Sequence, residues 1–350
     1  MPSRKLKKIQ STFFKYARET LETKTTVGPL TDPQNRNQLT DNDHDIVRIL
    51  AQQYSSTFSK PRPQFDPKAF LEGETEGKLT EITVTVEDIL EAINEMPNDT
   101  SPGPDTWPSL LFKNCARSLA EPLRMILQKS LDTGEIPEKL LEAHITPIFK
   151  GGSRQLAENY RPISLTSPVA KVFERVIRKH IIAYLTENDR IKCNQHGFRK
   201  GRSCLSQLLD HHDRIIEALE NQTHYDVIYT DFSKAFDKCD FAIICEKLMG
   251  LGISGRVGRW IHNFLTKRKF RVVIDGTSSE SHEVISSVPQ GTILAPTLFL
   301  IMINDISDNI SECDIQTFAD DTKISKSIKT DNDVTCLQLN LLKLMSPAYS

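Results

Sequence analysis

The sequence predicts an α+β domain in which helices flank a small, largely antiparallel sheet. Two patterns predict it. Apolar residues recur at helical spacing over about 168–186 and 203–220, and shorter runs rich in β-branched and aromatic residues occur at 227–232 and 315–325. Because the last run carries a turn near its centre, we expect a hairpin there, with the helices covering the sheet.

The elements of the first half follow from capping and breaking residues. Residues 1–60 are polar and rich in turn residues, so we expect an extension or linker with one or two loose helices. Thr85 and Asp88 form a capping-box pattern that begins a helix, and Pro97 ends it. After a stiff loop, further helices are predicted near 107–114 and 118–132, and a strand over 143–149.

The second half alternates strands and helices. The β run at 227–232 is followed by two helical stretches within about 238–266 and by a strand at 271–275. An apolar helix then extends to about Ile306, and a last helix over 334–345 follows the hairpin. The predicted organisation is an N-terminal extension (1–60), a helical lead-in (61–130), a larger α+β domain (131–345) and a short tail (346–350).

Composition excludes several classes of protein. The chain has 350 residues, of which 38% are hydrophobic and 26% charged, as is typical of soluble globular proteins. The longest apolar stretch, 293–303, is too short to span a membrane, and the basic start is not followed by an apolar block as in a signal peptide. We therefore expect an intracellular protein, in the nucleus or cytoplasm, without a membrane partner.

Cysteine and histidine spacing argues against structural metal or disulfide chemistry. The seven cysteines include no Cys-x-x-Cys pair, so we expect free, mostly buried thiols. Cys193 and His196 have zinc-like spacing, but no second ligand pair lies at a suitable distance along the chain. We interpret His211 and His212 as a pair on a helix surface.

Charge is unevenly distributed, although the formal net charge is only −2. Residues 65–100 contain ten acids against two lysines, whereas 171–202 contain nine bases against three acids, and 254–274 contain six bases and no acid. The middle of the chain could therefore hold a polyanion. The alternative is that these runs are solvated helix faces.

Three acids follow apolar strands, where a charged side chain is unusual. Asp231 ends the first β run, and Asp320 and Asp321 occupy the hairpin turn. Carboxylates brought together from separate strands repel each other unless a cation neutralises them, and Mg²⁺ prefers such hard oxygen ligands. Two Mg²⁺ ions can activate an attacking hydroxyl and stabilise the leaving oxygen, as nucleotidyl transfer requires. Taken alone, an Asp-Asp pair in a turn more often only supports the backbone.

Six segments occur in the order found in one family of enzymes. They are 145–152 (ITPIFKGG), 159–165 (NYRPISL), 194–203 (NQHGFRKGRS), 229–237 (YTDFSKAFD), 288–296 (VPQGTILAP) and 318–321 (FADD). The last three resemble motifs A, B and C of reverse transcriptases. The first three resemble the finger motifs of these enzymes in non-LTR retrotransposons of the LINE and jockey type. The resemblance covers about residues 80–345 and implies the fingers and palm of a right-hand polymerase.

The resemblance implies an RNA-directed DNA polymerase that adds deoxynucleotides to a primer 3′-hydroxyl. It assigns Asp231, Asp320 and the backbone carbonyl of Phe232 as ligands of two Mg²⁺ ions, for which Mn²⁺ could substitute. Asp321 is then an accessory catalytic carboxylate. Phe236 matches the aromatic gate beneath the incoming sugar, where a ring would clash with a ribose 2′-hydroxyl. Without the motif, Phe236 would more often be a core residue that begins a helix.

The resemblance also implies residues that bind the substrate and the nucleic acid. Gln290 and Gly291 match the pair beside the nascent base pair, since Gly permits close backbone approach and Gln offers an amide. Lys150 and Arg161 match finger residues that hold the dNTP triphosphate. Taken singly, each is more typical of a turn or a surface charge. The expected partners are an RNA template and a DNA primer, contacted by one loop of amide, aromatic and basic groups: Gln195, His196, Gly197, Phe198, Arg199, Lys200 and Arg202.

The chain departs from the family pattern near its end. Only 29 residues follow Asp321, so we expect no thumb and a weak grip on a template–primer duplex. A truncated, catalytically inactive remnant that at most binds RNA is the alternative function. An RNA-dependent RNA polymerase would share the palm carboxylates, but it would have a small or polar residue in place of Phe236 and usually Gly-Asp-Asp in motif C.

Overall fold

The computed structural model describes residues 27–34, 38–59, 63, 65–72, 76–232 and 234–344. The predicted tail at 346–350 and residues 1–26 of the predicted extension lie outside these described residues. The chain divides into two units. Unit 1 comprises 1–56, 145–163 and 271–282, and unit 2 comprises 57–144, 164–270 and 283–350. The boundaries predicted near 60 and 130 stay predictions.

Helices and short strands alternate along the chain. The helices are α1 (Asp43–Ser56), α2 (Val86–Asn94), α3 (Ser109–Asn114), α4 (Ala116–Thr133), α5 (Glu138–Leu141), α6 (Pro168–Glu187), α7 (Cys204–Glu220), α8 (Phe241–Gly250), α9 (Gly255–Thr266), α10 (Ala295–Ile303) and α11 (Asp331–Leu344). The strands are β1 (Leu30–Asp32), β2 (Gln38–Thr40), β3 (Glu142–Phe149), β4 (Tyr160–Leu165), β5 (His224–Thr230), β6 (Lys269–Ile274), β7 (Thr277–Ser278), β8 (His282–Glu283), β9 (Asp314–Phe318) and β10 (Asp321–Ile328). The predicted α+β class is confirmed.

Unit 1 is organised around α1. The helix buries Ile46, Leu50 and Tyr54, and β1 and β2 pair as an antiparallel hairpin in the same unit. Arg48 of α1 binds Asp32 at the end of β1 (2.6 Å). The sequence predicted only loose helices in this stretch, but α1 is packed because its apolar residues recur at helical spacing.

Unit 2 has a large apolar core built from α2, α4, α6, α8, α9 and α10. Leu127 of α4, Ile177 of α6 and Trp260 of α9 are fully buried within it. Trp260 donates its indole N–H to Ser130 Oγ (2.9 Å), so the one polar atom of this large side chain is satisfied inside the core. This core supports the helices that precede and follow the candidate site.

The predicted capping box at the start of α2 is present. Thr85 Oγ1 accepts a hydrogen bond from the backbone N–H of Asp88 (3.1 Å), and Asp88 Oδ2 accepts one from the backbone N–H of Thr85 (3.0 Å). Asp88 also binds Lys179 of α6 (2.9 Å). Burial alone would raise the pKa of Asp88, but Lys179 and Thr85 outweigh it and lower that pKa to about 2.

A second sheet, in unit 2, has three strands in the order β5-β10-β9. The central strand β10 is antiparallel to both neighbours, and its Thr322 lies opposite Thr230 of β5 and Thr317 of β9. Because side chains alternate between the two faces, Ile324 faces the same side as Thr322. It packs there in a small core with buried residues of α11. The predicted hairpin is therefore confirmed and forms two strands of this sheet.

Helix α7 contacts β5 and β9 with its polar side. His211 packs against the ring of Tyr225 in β5, and Arg214 pairs with Asp314 in β9. We predicted that His211 and His212 both lie on a helix surface. This prediction is wrong for His211, which is half-buried, whereas His212 is exposed. The polar inner face of the sheet needs polar partners, so the apolar side of α7 faces solvent instead, with exposed Leu205, Leu208, Leu209, Ile216 and Leu219.

The thiols and the apolar segments partly match the predictions. All seven cysteines are free, as predicted, but the expectation that most are buried is wrong, because only Cys239 and Cys245 are. Cys193 and Cys204, which flank the predicted nucleic-acid-binding loop, are exposed. Within the part of the chain that the structure describes, no helix is long and apolar enough to cross a membrane.

Replacing Asp88 with Asn is expected to lower the free energy of unfolding by about 2 kcal/mol near neutral pH, since the folded protein holds this carboxylate ionised. This stabilisation is present above the ordinary pKa of 3.8 and is lost as the pH falls through about 2, so the difference from wild type should shrink there. Urea denaturation at several pH values measures it.

Glu91→Gln is the matched control for Asp88→Asn. Glu91 binds the same Lys179, but its side chain is 53% exposed, so its loss should cost less than about 0.5 kcal/mol. Equal effects of the two variants, or no pH dependence for Asp88→Asn, would show that the ionised carboxylate of Asp88 does not stabilise the fold.

Candidate active site

The register of the three-stranded sheet brings Asp231 and Asp321 to the same edge. Thr230, the last residue of β5, lies opposite Thr322 of β10. One step further in this antiparallel register, Asp231 is level with Asp321, the first residue of β10. Two predicted catalytic acids that are 90 positions apart in the sequence therefore meet at adjacent strand ends.

Asp320 joins this edge through the turn of the β9–β10 hairpin. Phe318 pairs with Asp321, so Ala319 and Asp320 alone form the connection. Ala319 has a φ of +55°, a left-handed conformation that is costly for a residue with a Cβ. Its backbone N–H donates to Oε1 of Gln195 (3.1 Å), which stabilises the turn from outside the hairpin.

The three carboxylates interact electrostatically. Burial raises the pKa of Asp321, and the negative charges of Asp320 and Asp231 raise it further. Among the described residues, no Lys, Arg or His forms an ion pair with any of the three, so no ion pair from the described protein offsets the negative charges that act on Asp321. A divalent cation fits this donor set, because hard carboxylate oxygens are the ligands that it prefers.

The carboxylates alone are an incomplete set of metal ligands. No group of three or more His, Cys, Asp or Glu side chains in the described ranges is arranged to hold a metal ion. Phe232, whose carbonyl is the predicted third ligand, places its ring in the small core under β10. Its carbonyl accepts a hydrogen bond from the backbone N–H of Ala235 (3.3 Å), which leaves a second lone pair on the oxygen.

Phe236 connects motif A to motif B. Its ring stacks on Phe299 of α10, with a centroid distance of 4.3 Å and 11° between the planes, and meets the edge of Phe198 at 6.4 Å. Its carbonyl accepts a hydrogen bond from the N–H of Val288 (2.9 Å). The ring is half-buried. Its role beneath the sugar stays a prediction.

Gln290 is held by contacts from two sides. Its Nε2 donates to Oδ1 of Asp237 (3.1 Å), and its carbonyl accepts from the N–H of Ser164 (2.8 Å). Gly291, which follows, is exposed and has a φ of +99°, so a side chain there would be strained. Asp237 is buried, which raises its pKa, and the amide of Gln290 opposes that rise.

Three residues that support the site were not predicted from the sequence. Asp237 orients Gln290, Phe299 stacks beneath Phe236, and Ser164 holds the motif B backbone. The position of Asp237 at the end of the motif A segment, directly after an aromatic residue, was an available signal. Phe299 looks like an ordinary apolar residue of a helix, and nothing in the sequence distinguished it.

The residues of the predicted nucleic-acid-binding loop differ in their burial. Gln195, His196 and Gly197 are buried, and Gln195 Oε1 accepts a hydrogen bond from the N–H of Gly197 (2.7 Å) as well as from Ala319. These three residues attach the loop to the hairpin. The exposed residues Phe198, Lys200 and Arg202 and the half-buried Arg199 remain available for contact. Nucleic-acid binding by the loop stays a prediction.

The predicted triphosphate-binding residues lie in unit 1. Lys150 follows the end of β3, and its backbone N–H donates to the carbonyl of Asn159 (2.8 Å). Arg161 lies near the start of β4, and both side chains are exposed. Their contact with a nucleotide stays a prediction.

Residues 148–345 match the family described as reverse transcriptase (RNA-dependent DNA polymerase), and this match covers more than half of the chain. The chain belongs to the reverse transcriptase family. The resemblance inferred from the six motifs is confirmed, and the reverse transcriptase match includes Asp231, Phe236, Gln290 and Asp320.

Similar proteins come from non-LTR elements. The RNA-directed DNA polymerase from mobile element jockey of Drosophila melanogaster is 28% identical over 270 residues, which cover 74% of this chain and 29% of that protein. The probable RNA-directed DNA polymerase from transposon BS of the same species is 30% identical over 230 residues, or 64% of this chain and 25% of that protein. The chain thus spans less than a third of these relatives.

A solved structure of apo telomerase from Candida tropicalis, truncated from its C-terminal domain, has 12% sequence identity to this reverse transcriptase domain. The two align with a TM-score of 0.43 over 59% of this chain and 47% of that chain.

Replacing Gly197 with Ala is expected to lower the free energy of unfolding by about 1–3 kcal/mol, because a Cβ there would overlap the backbone nitrogen of Ala319. Urea denaturation measures this change. Gly250→Ala is the control, since a Cβ at the end of α8 meets no atom within 4 Å, and Ala should be neutral or stabilising by up to about 1 kcal/mol. Similar losses in both variants would show that Gly197 does not attach the loop to the hairpin.

Proposed function

We propose that this reverse transcriptase domain carries out RNA-directed DNA synthesis, transferring a nucleotide from a dNTP to the 3′-hydroxyl of a primer. The observation that carries the proposal is the meeting of Asp231, Asp320 and Asp321 at one sheet edge without a cation from the described protein. An acidic edge of this kind suits metal-assisted phosphoryl transfer, because a structural cluster would need a compensating Lys or Arg.

Reverse transcriptases use divalent metal ions, and the residues of this edge fit them. In the proposal, Asp231, Asp320 and the carbonyl of Phe232 hold two Mg²⁺ ions, with Mn²⁺ as a possible substitute, and Asp321 is an accessory carboxylate. When bound, the ions lower the pKa of the primer hydroxyl and stabilise charge on the transferring phosphate. The sheet register keeps the backbone positions of the three acids at one edge.

Other residues position the substrates in this proposal. The ring of Phe236, which contacts Phe198 and Phe299, excludes a ribose 2′-hydroxyl by contact. Gln290 and Gly291 lie against the nascent base pair, where the glycine has no side chain to obstruct it. Lys150 and Arg161 neutralise the triphosphate, and the exposed Phe198, Lys200 and Arg202 stack on and neutralise the RNA template.

Primer extension on an RNA template tests the activity. The wild-type chain with Mg²⁺ and dNTPs should extend the primer, and Asp231→Ala should reduce the rate by at least about a thousandfold, because the metal supplies several kcal/mol of charge stabilisation. Lys238→Ala, an exposed change directly after the same motif, is the control and should keep most of the activity. Equal signal from wild type and Asp231→Ala would show instead an inactive remnant.

Replacing Phe236 with Ala is expected to increase incorporation of ribonucleotides relative to deoxynucleotides by about tenfold or more, because the clash with the 2′-hydroxyl is removed. Phe236→Tyr keeps the ring and should keep the discrimination. The ratio of kcat/KM values for dNTP and rNTP measures it. An unchanged ratio in Phe236→Ala would refute the gate, while activity of the wild-type chain would still support the polymerase.

A further inference from the structure

A buried glutamate outside the six motif segments contacts motif B. Glu174 of α6 is 1% exposed, and its Oε2 accepts hydrogen bonds from the backbone N–H groups of Ile293 (2.7 Å) and Leu294 (3.1 Å). These N–H groups lie at the start of α10, whose N-cap residue Leu294 provides no side-chain cap. Glu174 therefore caps α10 from a different helix.

The surroundings of Glu174 make its burial costly. Its neighbours in α6 include Phe173 and Ile177, which belong to the apolar core. A buried carboxylate needs a charged partner, and Arg268, which is only 2% exposed, attracts it electrostatically. Among the described residues, Nη1 and Nη2 of Arg268 have no hydrogen-bond partner, and neither has Oε1 of Glu174.

The two buried charges are therefore poorly suited to stabilising the fold. A buried ion pair stabilises a protein only when direct geometry and further hydrogen bonds offset its desolvation, and here both groups keep polar atoms unsatisfied. Burial raises the pKa of Glu174, and Arg268 and the two N–H groups oppose that rise. What Glu174 does provide is a hydrogen-bond acceptor for the N–H groups of Ile293 and Leu294.

The loop that Glu174 holds carries Gln290 and Gly291. At the N-terminal end of this loop, Ser164 and Asp237 both form hydrogen bonds with Gln290. Glu174 holds it three and four residues later, where α10 begins. The exposed Gly291 lies between these two attachments, so its position depends on both.

We propose that Glu174 is a positioning residue for polymerisation, which sets the placement of Gln290 and Gly291 against the nascent base pair. The inference rests on the proposed function. Glu174 does not touch the substrate and acts through the backbone of the loop. Its loss should raise the KM for dNTPs by about tenfold, the equivalent of one charge-assisted hydrogen bond, and leave kcat nearly unchanged.

Hydrogen exchange tests the contact without any need for polymerase activity. In Glu174→Ala, the amides of Ile293 and Leu294 should exchange roughly tenfold to a hundredfold faster than in wild type. Leu127→Ala is the matched control, since it removes a fully buried side chain from the same core and lies on α4. In this control, the two amides should change no more than other core amides. If the amides of Ile293 and Leu294 in Glu174→Ala also change no more than other core amides, the inference is overturned.

A double variant separates positioning from stability. Glu174→Met combined with Arg268→Met removes both buried charges and retains apolar volume, so the Tm should return to the wild-type value or exceed it. If Glu174 positions the loop, the amides of Ile293 and Leu294 still exchange fast and the KM stays high. Recovery of exchange and KM together with the Tm would mean a purely structural role and would overturn the inference.

The two proposals can fail separately. A folded wild-type chain that does not extend a primer would refute the proposed function. The exchange rates of Ile293 and Leu294 would still decide whether Glu174 holds the motif B loop.

Discussion

The antiparallel register of β10 against β5 is the constraint on which the candidate site depends. Because Thr322 lies opposite Thr230, the adjacent Asp321 and Asp231 must meet at the same edge, and the hairpin turn adds Asp320. A slip of one residue would turn these side chains to opposite faces and separate them. The small core around Ile324 prevents such a slip, so packing on one face of the sheet maintains the chemistry on its edge.

The acids of the candidate site differ from other acids of the molecule in whether a positively charged side chain lies near them. Elsewhere in the molecule, buried acids have a cation nearby: Lys179 binds Asp88, and Arg268 attracts Glu174 electrostatically. At the sheet edge, the negative charges of Asp320 and Asp231 both act on Asp321, and the described residues supply no ion pair. This contrast is the physical reason for assigning the edge to cation binding, since uncompensated carboxylates so close together would otherwise be unfavourable.

Hydrogen bonds connect several of the motif segments to one another. Gln195 in the finger-like loop holds the motif C turn at Ala319, and Asp237 at the end of motif A holds Gln290 of motif B. Buried polar groups need partners, and these partners come from another motif in each case. The polar inner side of α7 follows the same rule, because the sheet face that it covers is itself polar.

The sequence by itself determined the family and the α+β class, and it predicted the three acids that the sheet register brings to one edge. Local patterns were strong at two places, the capping box at Thr85 that begins α2 and the hairpin that carries Asp321. Only the tertiary structure decided which residues support the motifs. The burial of Glu174, the inward position of His211 and the stacking of Phe299 depend on contacts between distant segments, and local periodicity carries no information about such contacts.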